Sequence, residues 1–469
     1  MLFSSMLFLW LLLPVTFFVY RIIDDKFKNI LLLLVSLLFY AWGEPKYVFL
    51  MLFVIVINYV FGLLIDKYRK NKKILIILCI VANLLMLGYF KYYDFFVSTV
   101  NGILNREVFS LKGIVLPIGI SFYIFQTLSY VIDLYREDIK VQKNIINLAL
   151  YTSFFPQLIA GPIVKYHDIE NQINSRTITY EKTAYGIKRF IYGLSKKVIL
   201  SNTFAEVVDN ILGKDINLLT SGAVWMAIIL YALQIYFDFS GYSDMAIGLA
   251  KMFGFDLNEN FNYPYLSKSI TEFWRRWHIS LSTWFREYVY IPLGGNRKGK
   301  IRTYINLSIV FLLTGIWHGA SFNFVVWGII HGVFIVIERV GFIKVLNKNK
   351  ITGFFAHIYT LFIVIISWAF FRATSLTEAI EWLKVMFGFG QSDTAIYNVS
   401  NFINSKLIVI TFVGMVTSGI VQLIPKLKKT LYHEEKTYLI EDVLLIALFG
   451  LCIMLLVNDT YNPFIYFKF

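Results

Sequence analysis

Residues 304–337 read YINLSIVFLLTGIWHGASFNFVVWGIIHGVFIVI, with no Lys, Arg, Asp or Glu among them. One membrane-crossing helix needs roughly 20 apolar residues, so the run is too long to be a single element. The break is expected between Gly315 and Asn323, where Gly315 and Gly319 flank His318 and permit irregular or closely packed backbone. An imidazole there sits at membrane depth, where an ionisable group is costly and usually faces a protein interior or a watery cavity. His318 is therefore read as functional, against the alternative of a buried imidazole hydrogen-bonded between packed helices. Immediately upstream, residues 273–300 read FWRRWHISLSTWFREYVYIPLGGNRKGK. Taken as one helix over 273–288, they place Arg275, His278, Ser282 and Arg286 on one polar stripe and Phe273, Trp277 and Trp284 on another. His278 then either serves the chemistry or belongs to an interfacial helix anchored by Trp and Arg.

The whole chain has the same character. Of its 469 residues 58% are hydrophobic, 18% aromatic and 16% charged, and its mean hydropathy is +0.64. That composition excludes a soluble globular domain, and continuous apolar runs exclude a transmembrane barrel, whose strands alternate. The fold class is an all-α polytopic membrane protein, read as a single integral-membrane domain over 1–469. The formal charge of +14 is carried by short loops between apolar runs, as orientation signals are, so nucleic acid is not an expected partner. Cys79 and Cys452 both stand in apolar runs and are expected to be small core residues.

In chain order, 2–20 is expected to be a retained first span, since it lacks a basic leader and a small-residue cleavage site. Residues 29–43 and 48–65 form a hairpin, followed by the basic loop DKYRKNKK at 66–73. Placing the basic loops in the cytoplasm puts the N-terminus outside, and the basic loop at 426–436 likewise sends the C-terminus outside. Residues 144–164 should be a broken helix, interrupted at Phe154-Phe155-Pro156 and Ala160-Gly161-Pro162. Residues 184–200 place Ile187, Phe190, Ile191, Leu194 and Val198 on one face while Lys188, Arg189, Lys196 and Lys197 leave it, the pattern of a helix lying on the cytoplasmic membrane surface. Residues 224–250 are a span expected to be interrupted at 238–244, where Asp238 and Asp244 imply a polar interior. His331 is explained by helix packing; His167, His357 and His433 read as loop or interface residues.

Serine-hydrolase and zinc-enzyme signatures are missing. Neither Gly119-Ile-Ser121 nor Gly241-Tyr-Ser243 completes a nucleophile elbow, and there is no His-Glu-x-x-His pair, so no metal is expected. The loop Pro292-Leu293-Gly294-Gly295-Asn296-Arg297-Lys298-Gly299-Lys300 joins glycines to cations, which can cradle phosphate through amide N–H groups and charge or can be an ordinary cytoplasmic loop.

These motifs together resemble the membrane-bound O-acyltransferases. The likeness is carried by FYAWGEPKY from Phe39, FFPQLIAGPI from Phe154, FDFSGYSDMAIG from Phe237, the block from Phe273 and TGIWHGASFNFVVWG from Thr314, and it is strongest toward the branch that O-acetylates alginate and peptidoglycan. The resemblance implies about 10 to 12 spanning helices, with re-entrant and interfacial helices, around a central funnel. It implies His318 as the catalytic histidine and His278 as its upstream partner. No permanently bound cofactor is implied; acetyl-CoA or another acyl thioester would be the cytoplasmic donor. It also implies a cell-envelope polysaccharide as acceptor and an extracytoplasmic hydrolase-like acetyltransferase as partner. Arg297, Lys298, Gly294 and Gly295 would meet the donor. The tail Asn462-Pro463-Phe464-Ile465-Tyr466-Phe467-Lys468-Phe469 resembles a C-terminal motif in which Tyr466 would carry the acyl group, the alternative being interfacial anchoring. D-alanyl transfer to teichoic acid, within the same family, and a transporter or channel, outside it, remain alternatives.

Overall fold

The computed structural model describes residues 1–346, 348–389, 395–423 and 439–458, together with Asn462, Phe464 and Ile465. The sequence-based readings of Tyr466, His433 and the loop 426–436 fall outside those residues. The described chain is helical, with one isolated bridge between Leu219 and Tyr397. Six of its helices are long and apolar enough to cross a membrane: Asp25–Gly43, Tyr47–Lys67, Arg69–Leu104, Ser221–Met252, Lys350–Arg372 and Leu439–Asn458. Shorter apolar helices lie at Phe8–Ile22 and Ser405–Thr417.

The residues divide into two compact units, one of Met1–Phe190 with Tyr242–Asn258 and the other of Ile191–Gly241 with Glu259–Lys468. In the first, the helix Ile120–Arg136 is buried along nearly its whole length, and the expected broken segment is present as Ile145–Ser153 followed by Phe155–Leu158, bent at Phe154. Polar side chains inside this unit satisfy one another. Asn58 and Asn83 exchange amide hydrogen bonds of 3.0 and 3.1 Å, an arrangement suited to holding helices together where water cannot compete. Cys79 is a buried free thiol beside them, and Cys452 in the second unit is likewise free and buried.

The second unit is organised by helices α1 (Tyr180–Ser195), α2 (Ser221–Met252), α3 (Ile270–Arg276), α4 (Ile279–Phe285), α5 (Lys300–His318), α6 (Phe322–Ile337) and α7 (Lys350–Arg372), of which α1 and α2 also contribute to the first. The long uncharged run is the α5/α6 hairpin, broken at Gly319–Ser321 as expected. Its helices meet backbone to backbone. A Cβ on Gly315 would lie 2.4 Å from the Phe324 carbonyl oxygen, and one on Gly328 would lie 2.4 Å from that of Phe311. In a membrane, where lipid is as apolar as Leu, such close approach supplies the dispersion contacts that join helices.

Three expectations are corrected. Residues 273–288 are not one helix: the chain leaves α3 at Trp277 and re-enters helix after His278. The stretch 238–244 does not interrupt α2, because each carboxylate there has a cation: Asp244 meets Arg189 at 2.6 Å and Asp238 meets Lys197 at 2.5 Å. The third concerns the helix expected on the membrane surface. After α1 the chain enters a π-helical turn, Lys196–Ser201, whose wider i→i+5 pitch changes the phase of the side chains. Lys197, polar-facing by the 3.6-residue period, is turned into the core and is 3% exposed.

The hairpin contact gives a direct test. Gly328→Ala should cost about 1–3 kcal/mol by forcing α5 and α6 apart, whereas Gly450→Ala, with nothing within 4 Å of its Cβ, should be close to neutral. Thermal unfolding of the detergent-solubilised protein would show equal stabilities if the close approach carries no weight.

Candidate active site

The site is built around the turn between α3 and α4. Helix α3 is started by two caps: Ser269 Oγ accepts from the Glu272 amide at 3.0 Å, and the buried Glu338 carboxylate accepts from the amides of Ile270 and Thr271 at 2.6 and 2.9 Å. A carboxylate at a helix N-terminus satisfies orphan donors and complements the helix dipole. At the other end Trp277 is extended, and its indole packs 5.6 Å from Phe273 and 5.0 Å from Trp368. His278 follows with φ 44°, a left-handed conformation costly for a residue with a side chain and therefore held by its surroundings.

What holds it is the polar segment around Asn260. The Ile279 amide donates to the Asn260 carbonyl at 3.0 Å and the Asn262 amide to the Arg276 carbonyl at 2.9 Å. The Asn260 side chain then decides the state of the imidazole. Its Oδ1 accepts from the Ser280 amide at 3.2 Å and the Ser280 hydroxyl at 2.9 Å. A backbone N–H can only donate, so the atom facing it is the carboxamide oxygen. His278 Nδ1 lies 3.2 Å from the same oxygen and 3.4 Å from the Ser280 hydroxyl, and because that hydroxyl gives its proton to Asn260, both contacts favour a proton on Nδ1. The other ring nitrogen, Nε2, is left as a bare lone pair. It is buried and has no hydrogen-bond partner among the described residues.

His318 ends α5, 3% exposed, in a wall of aromatic rings. Its ring centroid is 4.9 Å from that of Trp327, 5.1 Å from Phe371 and 5.0 Å from Trp317. The Trp317 indole also lies 6.1 Å from the His278 ring, which meets Phe239 edge-on at 4.6 Å. The fold thus brings the two sequence-predicted histidines to one indole. His331 is different. Trp274 Nε1 donates to its Nδ1 at 3.2 Å, so its proton is on Nε2 and goes to Ser367 Oγ at 3.0 Å, whose own proton is given to the Val364 carbonyl. Both nitrogens are spent on packing. His167 lies between Asp133 and Asp168, each 3.0 Å from a ring nitrogen, and the bond to Asp133 chiefly raises its pKa to about 10. A group already protonated at neutral pH cannot serve as the base.

The loop after α4 is shaped by its glycines. Gly294 and Gly295 take φ of 105° and 53°, and their amides donate to the carbonyls of Ile291 and Tyr290 at 2.9 Å each. Asn306 of α5 ties the loop down by donating to the Gly295 carbonyl at 2.9 Å. With these amides closed on turns, the loop offers an anion the exposed side chains of Arg297 and Lys298. Among the described residues no three His, Cys, Asp or Glu side chains gather as a metal-ligand set. Asn260 is the residue that sequence reading missed. It stands in an ordinary polar stretch, and no spacing rule links it to a histidine 18 positions on.

The sequence profile of the membrane-bound O-acyltransferase family matches residues 134–377, which include Asn260, both histidines and the basic loop, and the chain belongs to that family. It is an O-acyltransferase and a multi-pass membrane protein. Over the full length of both proteins it is 39% identical to the probable alginate O-acetylase AlgI of Pseudomonas putida. It is also 38% identical to the peptidoglycan O-acetyltransferase of Helicobacter pylori, over 83% of this chain and 80% of that protein. The teichoic acid D-alanyltransferase of Bacillus subtilis is 29% identical over 46% of this chain and 57% of its own.

The role of Asn260 is testable. Asn260→Ala orphans the Ser280 amide and frees His278 to change tautomer; an unsatisfied buried donor costs about 1–3 kcal/mol. Acyl transfer should fall at least about tenfold in turnover, while Asn260→Asp, which keeps an acceptor, should retain more of it. Nitrogen-15 spectra of labelled histidine should show His278 losing its Nδ1–H form in the Ala variant, and an unchanged tautomer with unchanged turnover would refute the assignment.

Proposed function

We propose that this chain transfers an acetyl group from a cytoplasmic thioester, such as acetyl-CoA, toward O-acetylation of an extracytoplasmic cell-envelope polysaccharide. The observation that carries the reading is the pair of imidazoles against Trp317, one of them held by Asn260 with a bare Nε2. The end-to-end likeness to alginate O-acetylases supports acetyl and polysaccharide over D-alanine and teichoic acid, for which the similar region covers at most half of the chain.

In this reading His318 is the general base. It takes the proton of an attacking hydroxyl, the oxygen adds to the thioester carbonyl carbon, the C–S bond breaks, and the proton passes to the departing thiolate. A neutral imidazole suits the task, its ordinary pKa lying near 6.5. His278 orients the nucleophile. A lone pair at Nε2 accepts a hydrogen bond from a hydroxyl but offers nothing to a carbonyl oxygen, so it holds the alcohol while it is being seated; the alcohol's single proton then turns from Nε2 to His318 as the oxygen adds. Arg297 and Lys298 meet the anionic donor on the cytoplasmic side. With the basic loops inside, both termini are extracytoplasmic, and an extracytoplasmic hydrolase-like protein completes transfer to the polymer. Tyr466, in the C-terminal tail, serves as the temporary acyl carrier: its phenol, deprotonated by a base, accepts the acetyl group, and the aryl ester retains enough transfer potential to pass it on.

One assay tests the reading: radiolabelled acetyl-CoA offered to the protein reconstituted in vesicles with the extracytoplasmic partner and an acceptor polysaccharide outside. His318→Gln should lower transfer by about 10²–10⁴-fold without loss of folded protein, and full transfer by that variant would refute the base. Arg297→Ala with Lys298→Ala should weaken donor binding at low salt and matter less at high salt, where exposed charges are screened. Solute flux without acyl transfer would place the chain in a different class.

A further inference from the structure

The charged pair Lys197–Asp238 is not used by the chemistry above, and it is an unusual object. Its side chains are 3% and 1% exposed, with Nζ 2.5 Å from Oδ1. Desolvating two charges is expensive, and the mutual attraction offsets it only when the remaining lone pairs also find partners. Around Asp238 they do. Ser201 Oγ lies 3.4 Å from Oδ1, and Oδ2 accepts the main-chain N–H of Ile465 at 2.8 Å. The second carboxylate oxygen is thus satisfied by the C-terminal segment. That segment makes further contacts on the same unit. Phe464 and Ile465 are buried, the Phe464 ring centroid is 5.8 Å from Lys197 Nζ, and Asn202 Nδ2 donates to Asn462 Oδ1 at 3.2 Å.

Two features of the surrounding helices build this receptor. The π-helical turn Lys196–Ser201 rotates Lys197 inward, and π turns often mark functional positions. Gly241 lets α1 and α2 approach: a Cβ there would sit 2.8 Å from the Gly193 carbonyl oxygen and 3.2 Å from the Lys197 amide. The receptor and the site share a helix. Asp238, which holds Ile465, is followed on α2 by Phe239, which packs against the His278 ring.

We propose that Lys197–Asp238 is the receptor for the C-terminal segment, and that both are positioning residues which fix the residue before Tyr466 beside the helix turn that contacts His278. This deepens the carrier role of Tyr466 and rests on it. A main-chain N–H on a buried carboxylate holds the segment whatever its side chain, while Phe464 and Asn462 set its register. Losing the carboxylate should release the segment and leave the phenol without a fixed approach to the histidines.

The test is amide hydrogen exchange in the full-length protein, read at Ile465 by fragmentation of the C-terminal peptide, together with acetyl transfer. In the wild type the Ile465 amide should exchange at least about tenfold more slowly than in a free peptide. In Asp238→Asn, and in the charge-free pair Lys197→Met with Asp238→Leu, it should approach the free rate and transfer should fall, while the amides of α2 stay protected. Fast exchange at Ile465 in the wild type overturns the proposal. So does normal transfer by a variant whose Ile465 amide is fast. If Asp238→Asn exposes α2 as well, the charge-free pair, which leaves no unpaired buried charge, decides between the outcomes. Tyr466→Phe separates this proposal from the one beneath it: it should abolish transfer with Ile465 still slow, and normal transfer by that variant removes the carrier role while slow exchange keeps the receptor.

Discussion

The backbone contact between α5 and α6 at Gly315 and Gly328 is the constraint on which the second unit rests. Either glycine, given a side chain, would meet a carbonyl oxygen of the facing helix at 2.4 Å. Because the helices touch there, the turn Gly319–Ser321 is short and His318 ends α5 with its ring 4.9 Å from that of Trp327 of α6. The same seating turns Asn323 toward the end of α7, where its amide donates to the carbonyls of Phe370 and Ala373 at 3.0 and 2.8 Å. It also brings His331 of α6 between Trp274 of α3 and Ser367 of α7. One close approach thereby ties together four helices, α3, α5, α6 and α7, and seats the His318 ring.

Three of this unit's histidines, His278, His318 and His331, show how hydrogen bonds sort identical side chains into different roles. His331 gives and receives one bond and is finished as a structural group. His278 is given a proton on Nδ1 by an oxygen whose identity the Ser280 amide decides, which leaves Nε2 bare. His318 is surrounded by aromatic faces, which position a ring by shape. A buried lone pair without a partner among the described residues is expensive to maintain and calls for an explanation, such as a catalytic role or a bound group.

Buried charge in this protein follows the same economy of partners. Glu338, 1% exposed, spends its carboxylate on the amides that begin α3. Asp244 is spent on Arg189, and Asp238 on Lys197 and the Ile465 amide. Each would be intolerable alone in an apolar interior. Each therefore marks a place where two segments distant in sequence are compelled to meet, and two of the three such places lie on α2.

Much of this was legible in the residues. The all-helical membrane class followed from apolar runs of spanning length, because hydrocarbon permits few other solutions for the backbone. The break beside His318 followed from two glycines and a run too long for one helix, and the motifs carried the family. What the sequence could not decide was anything set by a partner far along the chain. Period-3.6 reasoning ran one helix through 273–288, since nothing local shows that residues 260–262 bind that turn and bend it at His278. The same period laid Lys197 on a surface, although a π turn and a carboxylate 41 residues away draw it inside. The sequence by itself determined which groups are present and that they stand in a chain of apolar helices. Only the tertiary structure decided which nitrogen of His278 is bare and where Lys197 points, because tautomer and rotamer are chosen by contacts, and contacts of this range leave no period to read.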